Sequence, residues 1–155
     1  MPEVHPGQHK YRHSERIPRE LGSDAAMRGD ALAVGAAGTA VRTTGDNGFL
    51  GVLGEATQAD LEAGNLGPGV DEAIPVESGD TAAVAIQGVV RAKVSAFDSG
   101  TGGTVSDGDA IEAGAAGALT NIEAGTTGAA VEAGVGEPKA MSGEDADGFA
   151  LVFLG

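Results

Sequence analysis

A mainly β domain, rich in glycine turns and preceded by an extended N-terminal arm, is the fold class that this chain predicts. Three observations carry the expectation. Thr81–Phe97 alternates, with Ala82, Val84, Ile86, Val90, Ala92, Val94 and Ala96 on one face and Gln87, Arg91, Lys93 and Ser95 on the other. Gly supplies 27 of 155 residues and Ala 28, so much of the chain carries little or no side chain. A ten-residue block also occurs twice, at 29–38 and again at 108–117.

The elements follow in chain order. Residues 1–23 read as an arm. Pro2, Pro6 and Pro18 disfavour a continuous helix there, and the apolar residues Val4, Tyr11, Ile17 and Leu21 follow no period. The remainder, 24–155, reads as one β-rich domain. Within it, Gly-Asp-Ala-Leu-Ala-Val-Gly-Ala-Ala-Gly at 29–38 matches Gly-Asp-Ala-Ile-Glu-Ala-Gly-Ala-Ala-Gly at 108–117 at seven of ten positions. The stretches 47–53 and 147–153 both place a tight Asn-Gly or Asp-Gly turn before an apolar strand. Together these predict two related β units, near 29–55 and 108–154. Ala56–Ala63 reads as one or two helical turns ending at Gly64, and Asn65–Pro75 as a connecting loop. Gly79-Asp80 launches the alternating stretch. Gly88 interrupts it, which predicts a bulge, a sharp bend or the meeting of two strands. Residues 98–110 read as turns, and 118–140 carries no helical stripe.

Composition excludes several function classes. Val, Ile, Leu and Phe make up about 21% of the chain, barely above the level at which disorder is the default. A monomer with so little bulky apolar material has a marginal core, and self-association would supply the missing burial. No apolar run of about 18 residues is present to cross a membrane as a helix. The polar, proline-bearing start does not read as a secretory signal. Zero Cys removes disulfides, thiolate metal sites and cysteine nucleophiles. A net charge of −14 argues against a nucleic-acid partner, whose backbone is met with Lys and Arg.

The candidate chemical groups are few. His5, His9 and His13 lie four apart, but Pro2, Pro6 and Gly7 disfavour the helix that would stack them for a metal. Asp107-Gly108-Asp109 and Gly143–Gly148 are carboxylate-rich loops that suit Ca²⁺ in type. Neither matches an EF-hand or a nonapeptide calcium repeat, so both read first as Asp-Gly turns. The glycine stretches at 35–38 and 100–103 lack the Lys-Ser/Thr of a phosphate loop. No catalytic signature is present, and neither a cofactor nor a metal is expected. Two other classes stay open on the residues alone: a β-rich surface or spike module, with Ca²⁺ dependence as one form, and a small oligomeric β enzyme with an interfacial site.

The stretch 75–117 contains Gly79-Asp80-Thr81-Ala82-Ala83-Val84-Ala85-Ile86-Gln87-Gly88-Val89-Val90, and then Gly108-Asp109-Ala110-Ile111-Glu112-Ala113-Gly114. With the final strand from Gly148 to Leu154, it resembles the capsid decoration (head-stabilising) proteins of tailed phages and tailed haloarchaeal viruses, over roughly residues 24–155. The resemblance implies the lambda-type head decoration fold, a compact β-tulip or barrel-like domain. It further implies a non-enzymatic homotrimer on the outer capsid surface of the virion, clamping capsomers against the pressure of packaged DNA. The implied partner is the major capsid protein, on which such arms order and extend a sheet.

An extended arm offers free N–H and C=O groups for strand addition. Ordering it costs about 1–2 kcal/mol of backbone entropy per residue, which apolar anchors and ion pairs must offset. Val4, Tyr11, Ile17 and Leu21 are the expected anchors, and Arg12, Arg16 and Arg19 the expected charge partners.

Charge placement generates a first prediction. Residues 21–155 hold 20 acids against 5 bases, and Lys occurs only at 10, 93 and 139. Acid-rich, Lys-poor chains of this type are tolerated best at molar salt, where the Debye length falls to about 3 Å. The expected outcome is loss of the far-UV β signal on dialysis from molar to low salt. A spectrum indifferent to salt identifies an acidic chain suited to ordinary ionic strength.

Overall fold

A computed structural model describes residues 6–7, 15–45, 48–54, 75–121 and 138–155. These residues are mainly β. The strands are β1 (Glu15–Glu20), β2 (Ala31–Val34), β3 (Ala40–Arg42), β4 (Phe49–Leu53), β5 (Thr81–Gln87), β6 (Val89–Lys93), β7 (Ile111–Ala113), β8 (Leu119–Asn121), β9 (Lys139–Ala140) and β10 (Phe149–Phe153). Helix among the described residues is limited to 3-10 turns at Ala36–Gly38, Ser99–Thr101 and Ala115–Gly117. The segments 56–63 and 65–74 lie outside the described residues, as does most of 118–140.

The first five strands form one antiparallel sheet in the order β1-β5-β4-β2-β3. The second five lie in two pieces, β6-β10-β9 and β7-β8. The pieces meet where Ala110 bridges Lys139 and the Ile111 amide donates to Pro138 O at 2.9 Å. The second half therefore runs β6-β10-β9-β7-β8 and repeats the strand order of the first.

The repetition reaches single hydrogen bonds. Leu21 bridges Ala40 in parallel, and Val94 bridges Leu119 in the same sense. The Gly22 amide donates to Ala40 O, and the Ser95 amide to Leu119 O, both at 2.8 Å. Gly29 and Asp30 exchange bonds with Leu53, and Gly108 and Asp109 exchange the matching pair with Ala140. The counterpart of β4 is therefore β9, and β10 takes the place of β5. The likeness of 47–53 to 147–153 therefore joins two strands, β4 and β10, at positions that are not equivalent. The two halves divide at Gly88, which widens the units expected at 29–55 and 108–154.

Gly88 lies at φ +95°, a left-handed conformation that a Cβ disfavours. It ends β5 in one sheet and starts β6 in the other, so the alternating stretch is two strands meeting at a corner. The sheets stay open among the described residues, and no closed barrel forms. Their outer edges are handled separately. Pro18 faces outward from β1, where its missing N–H removes no ladder bond. The free edge of β6 receives the Gly7 amide on Arg91 O at 2.7 Å.

Each half has its own core. The first buries Leu21, Ala26, Leu32, Ala40, Leu53, Ala82 and Val84. The counterparts Val94, Val105, Ile111, Leu119, Ala140, Ala150 and Val152 all lie in the second core. Sizes compensate between layers: Ala40 with Leu53 in one half becomes Leu119 with Ala140 in the other. The second core also takes in Ala31, Val52 and Ala85 from the first half, which fastens the halves together.

The repeated block folds alike in both places. The amides of Met27 and Ser106 donate to Asp30 Oδ2 and Asp109 Oδ2 at 2.9 and 2.8 Å. Further on, Ala37 sits at φ 55°, ψ 31° and Ala116 at φ 55°, ψ 33°. An alanine held there costs roughly 1–2 kcal/mol relative to an ordinary backbone conformation. Part of that is recovered by glycine, after the greater entropy of its unfolded chain is charged. Ala37→Gly and Ala116→Gly are each expected to raise stability by about 0.5–1 kcal/mol in urea melts. A fall in stability for either would show that the turn is not strained.

Candidate interaction site

The N-terminal residues singled out by sequence divide into three groups. Val4, Tyr11 and Arg12 lie outside the described residues, as do the three histidines. Arg16 is in β1 opposite Ala85. Ile17, Arg19 and Leu21 alternate onto the inward face of the strand. Ile17 packs on the first core, and Leu21 is 1% exposed within it. Arg19 Nη1 donates to Gly38 O at 2.9 Å. Ile17 and Leu21 are expected from sequence to anchor a partner, but this chain's own sheet takes them, because β5 pairs Ile17 with Val84 and Leu21 is bridged to Ala40 inside the first core. The signal for this was the 17-19-21 alternation, masked by the charged residues around it.

The described part ahead of β1 is also docked. Pro6 and Gly7 are buried, and a Cβ on Gly7 would stand 2.4 Å from Leu53 O. Gly7 thus fits between β4 of the first half and β6 of the second. Only a residue without a side chain allows that approach.

Between the halves lies a buried polar cluster. Arg28 and Asp30 are 4% and 3% exposed, and Thr43 is 1% exposed. A Cβ on Gly117 would touch both Arg42 Cδ at 3.2 Å and Asp30 Cβ at 3.3 Å, so this turn of the second half closes over the pair. The Gly117 amide donates to Thr43 O at 3.1 Å, and the Lys93 amide to Gly29 O at 2.8 Å. Burial pushes the Asp30 carboxyl up, and the Met27 amide, Lys93 and Arg42 offset that only in part. In the second half Asn121 stands in the place of Arg42, and its Nδ2 donates to Asp109 Oδ2 at 3.1 Å.

The acidic loops have structural duties. Asp109 Oδ2 accepts from the Ser106 amide and from Asn121. Asp145 Oδ1 accepts from the amides of Asp147 and Phe149 at 2.9 and 3.0 Å. Its Oδ2 pairs with Arg91 Nη2 at 2.7 Å, and the Arg91 guanidinium lies 4.7 Å from the Phe149 ring centroid. Partial burial pushes the Asp145 carboxyl up, but the Phe149 amide, Arg91 and the Asp147 amide outweigh it and hold it below the usual carboxylate range. Among the described residues no group of three His, Cys, Asp or Glu is placed to hold a metal ion. No helix among them is long and apolar enough to cross a membrane.

The outward face of β6-β10-β9 is the most distinctive surface. Cross-strand pairing sets Val89 and Lys139 beside Phe153, Arg91 beside Leu151, and Lys93 beside Phe149. Phe153 is 39% exposed, and Met141, which follows β9 on the same face, is 49% exposed. Three of the five bases in residues 21–155 stand on this face.

No protein-family model and no curated protein matches the chain. Its fold is similar to that of a chain in a solved structure of the capsid of the Myoviridae phage XM1. The TM-score is 0.59 at 18% identity, covering 99% of this chain and 91% of that one.

The two shifted carboxyls make opposite contributions to acid stability. Asp145, held low, adds stability that is present above the ordinary carboxylate range and is lost as pH falls through its depressed value. Asp30, pushed up, contributes most below the ordinary range and loses that share as pH rises through its raised value. Asp145→Asn is therefore expected to flatten the acid limb of the stability curve and Asp30→Asn to steepen it, read by urea melts from pH 3 to 7 (about the window in which carboxyls titrate). Identical limbs in both variants would contradict these assignments.

Proposed function

We propose that this chain is a non-enzymatic structural protein of a tailed-virus head, bound as a homotrimer to the outside of the capsid and stabilising it by clamping capsomers. The observation that carries the reading is the fold likeness to a phage capsid chain over 99% of this sequence. The Gly-Asp strand units that resemble head decoration proteins support it, since the fold repeats both of them. A capsid surface role also suits a chain whose carboxylate loops serve as turn staples. The localisation we infer is the virion, and the partner is the major capsid protein.

The arm keeps a place in this reading, with a smaller set of contact residues. Leu21 and Ile17 belong to the fold, so Val4, Tyr11, Arg12 and Arg16 remain as proposed capsid contacts, and Arg19 is held by Gly38 O. Removing residues 1–22 would delete β1, so substitutions are the cleaner test.

The full chain is expected to co-sediment with expanded heads of its virus and to raise their resistance to heat. A variant with Val4→Ser, Tyr11→Ser and Arg12→Glu is expected to keep its β spectrum and lose at least about tenfold in head affinity, the scale of one to two interface anchors. Unchanged binding by that variant would refute the arm's role. Failure of the full chain to bind any head would refute the function.

A further inference from the structure

We infer that the outward face of β6-β10-β9 is the surface by which one copy of this chain holds the next, in a head-to-tail contact. The inference rests on the self-association proposed above and not on capsid binding.

Phe153 and Met141 are two of the five large apolar side chains exposed among the described residues. Cross-strand pairing places Phe153 directly beside Lys139, and the Met141 amide donates to Leu151 O at 2.7 Å within the same sheet. Of the exposed Phe and Met side chains, Phe153 and Met141 share one sheet face and so form a continuous apolar surface. The opposite face of these strands is filled by Val90, Ala92, Ala140, Ala150 and Val152, so Phe153 and Met141 have no core of their own to enter.

The charge on this face selects the occupant. Lys139 is exposed beside the apolar pair and is the positive charge this face presents, since Arg91 is paired with Asp145 and Lys93 Nζ donates to Ala116 O. The rest of the molecule is strongly acidic, so another copy of this chain offers the complement. Its best-defined acidic strip lies in the first half, around the turn before β5. Glu20, Asp24, Glu77 and Asp80 are all exposed there. They are drawn together by the Leu21 amide on Asp80 O, the Ser78 hydroxyl on Gly22 O, and the Ala26–Val76 bridge. No Lys or Arg occurs in 20–26 or 75–85.

Charge also dictates symmetry. A two-fold contact through the basic face would set Lys139 against its own copy, which like-charge repulsion disfavours. Joining a basic face in the second half to an acidic strip in the first is a heterologous contact. Such contacts close into rings, a trimer being one of the smallest.

Mass photometry and light scattering on the intact chain test this, with far-UV spectra confirming the fold of each variant. The wild type is expected to be trimeric. Lys139→Glu, an exposed substitution, and Phe153→Asp are each expected to raise the dissociation concentration by about 10–100-fold, the scale of an interface anchor. Combining Lys139→Glu with Asp80→Lys and Glu77→Lys is expected to restore association. A wild-type trimer with both single variants still trimeric would overturn this surface and leave self-association standing. A monomeric wild type would overturn both. Dissociated single variants that the charge exchange does not restore would overturn the acidic strip as the occupant.

Discussion

The hydrogen bonds that Gly29 and Asp30 exchange with Leu53, and that Gly108 and Asp109 exchange with Ala140, fasten β4 and β9 to the start of the strand that opens the hairpin of each half. Everything else is arranged around that closure. The aspartate completes its own turn by accepting the amide three residues back, so one residue caps a turn and starts a strand. With the strand fixed in register, alternation delivers the same seven positions to each core. A chain so poor in aromatic residues needs such backbone definition, because its side chains supply little shape of their own.

The halves are not independent. Gly88 turns one sheet into the other, while Ala31, Val52 and Ala85 of the first half lie in the second core. Between them Asp30 is buried beside the half-buried Arg42, with Gly117 closing over both. A buried ionic group is expensive in stability and is better understood as fixing how two surfaces meet. The second half fills the same position with Asn121, an amide in place of the guanidinium, donating to Asp109. The guanidinium occurs where the two halves join, and the amide away from the join.

This construction bears on function through what it leaves over. Two of the carboxylates that suit Ca²⁺ in type, Asp109 and Asp145, accept from backbone amides, Asn121 or Arg91. The inward residues of β1 are occupied by the core. Among the described residues, the outward face of β6-β10-β9 combines the exposed side chains of Phe153 and Met141 with the exposed base Lys139. Pro18 and Gly7 protect the two outer edges, so chance strand addition is suppressed while side-chain surfaces stay open.

Local chemistry was legible in the residues. Period-two alternation marked β5 and β6, Gly88 marked an interruption between them, the Gly-Asp pairs marked turns, and the repeated block marked two related β units. These features depend on neighbours along the chain, and sequence records neighbours directly. Which strand lies beside which was decided only in three dimensions. The likeness of 47–53 to 147–153 suggested an equivalence that the pairing of Leu53 and Ala140 replaces. Residues 1–23 read as an arm because prolines and aperiodic apolar residues mark no element there, yet β5 supplies the ladder that makes Glu15–Glu20 a strand. Turns and alternation are set by steric and hydrogen-bonding preferences over a few residues. Partner choice among strands is set by contacts between residues far apart in the chain, and no local pattern encodes them.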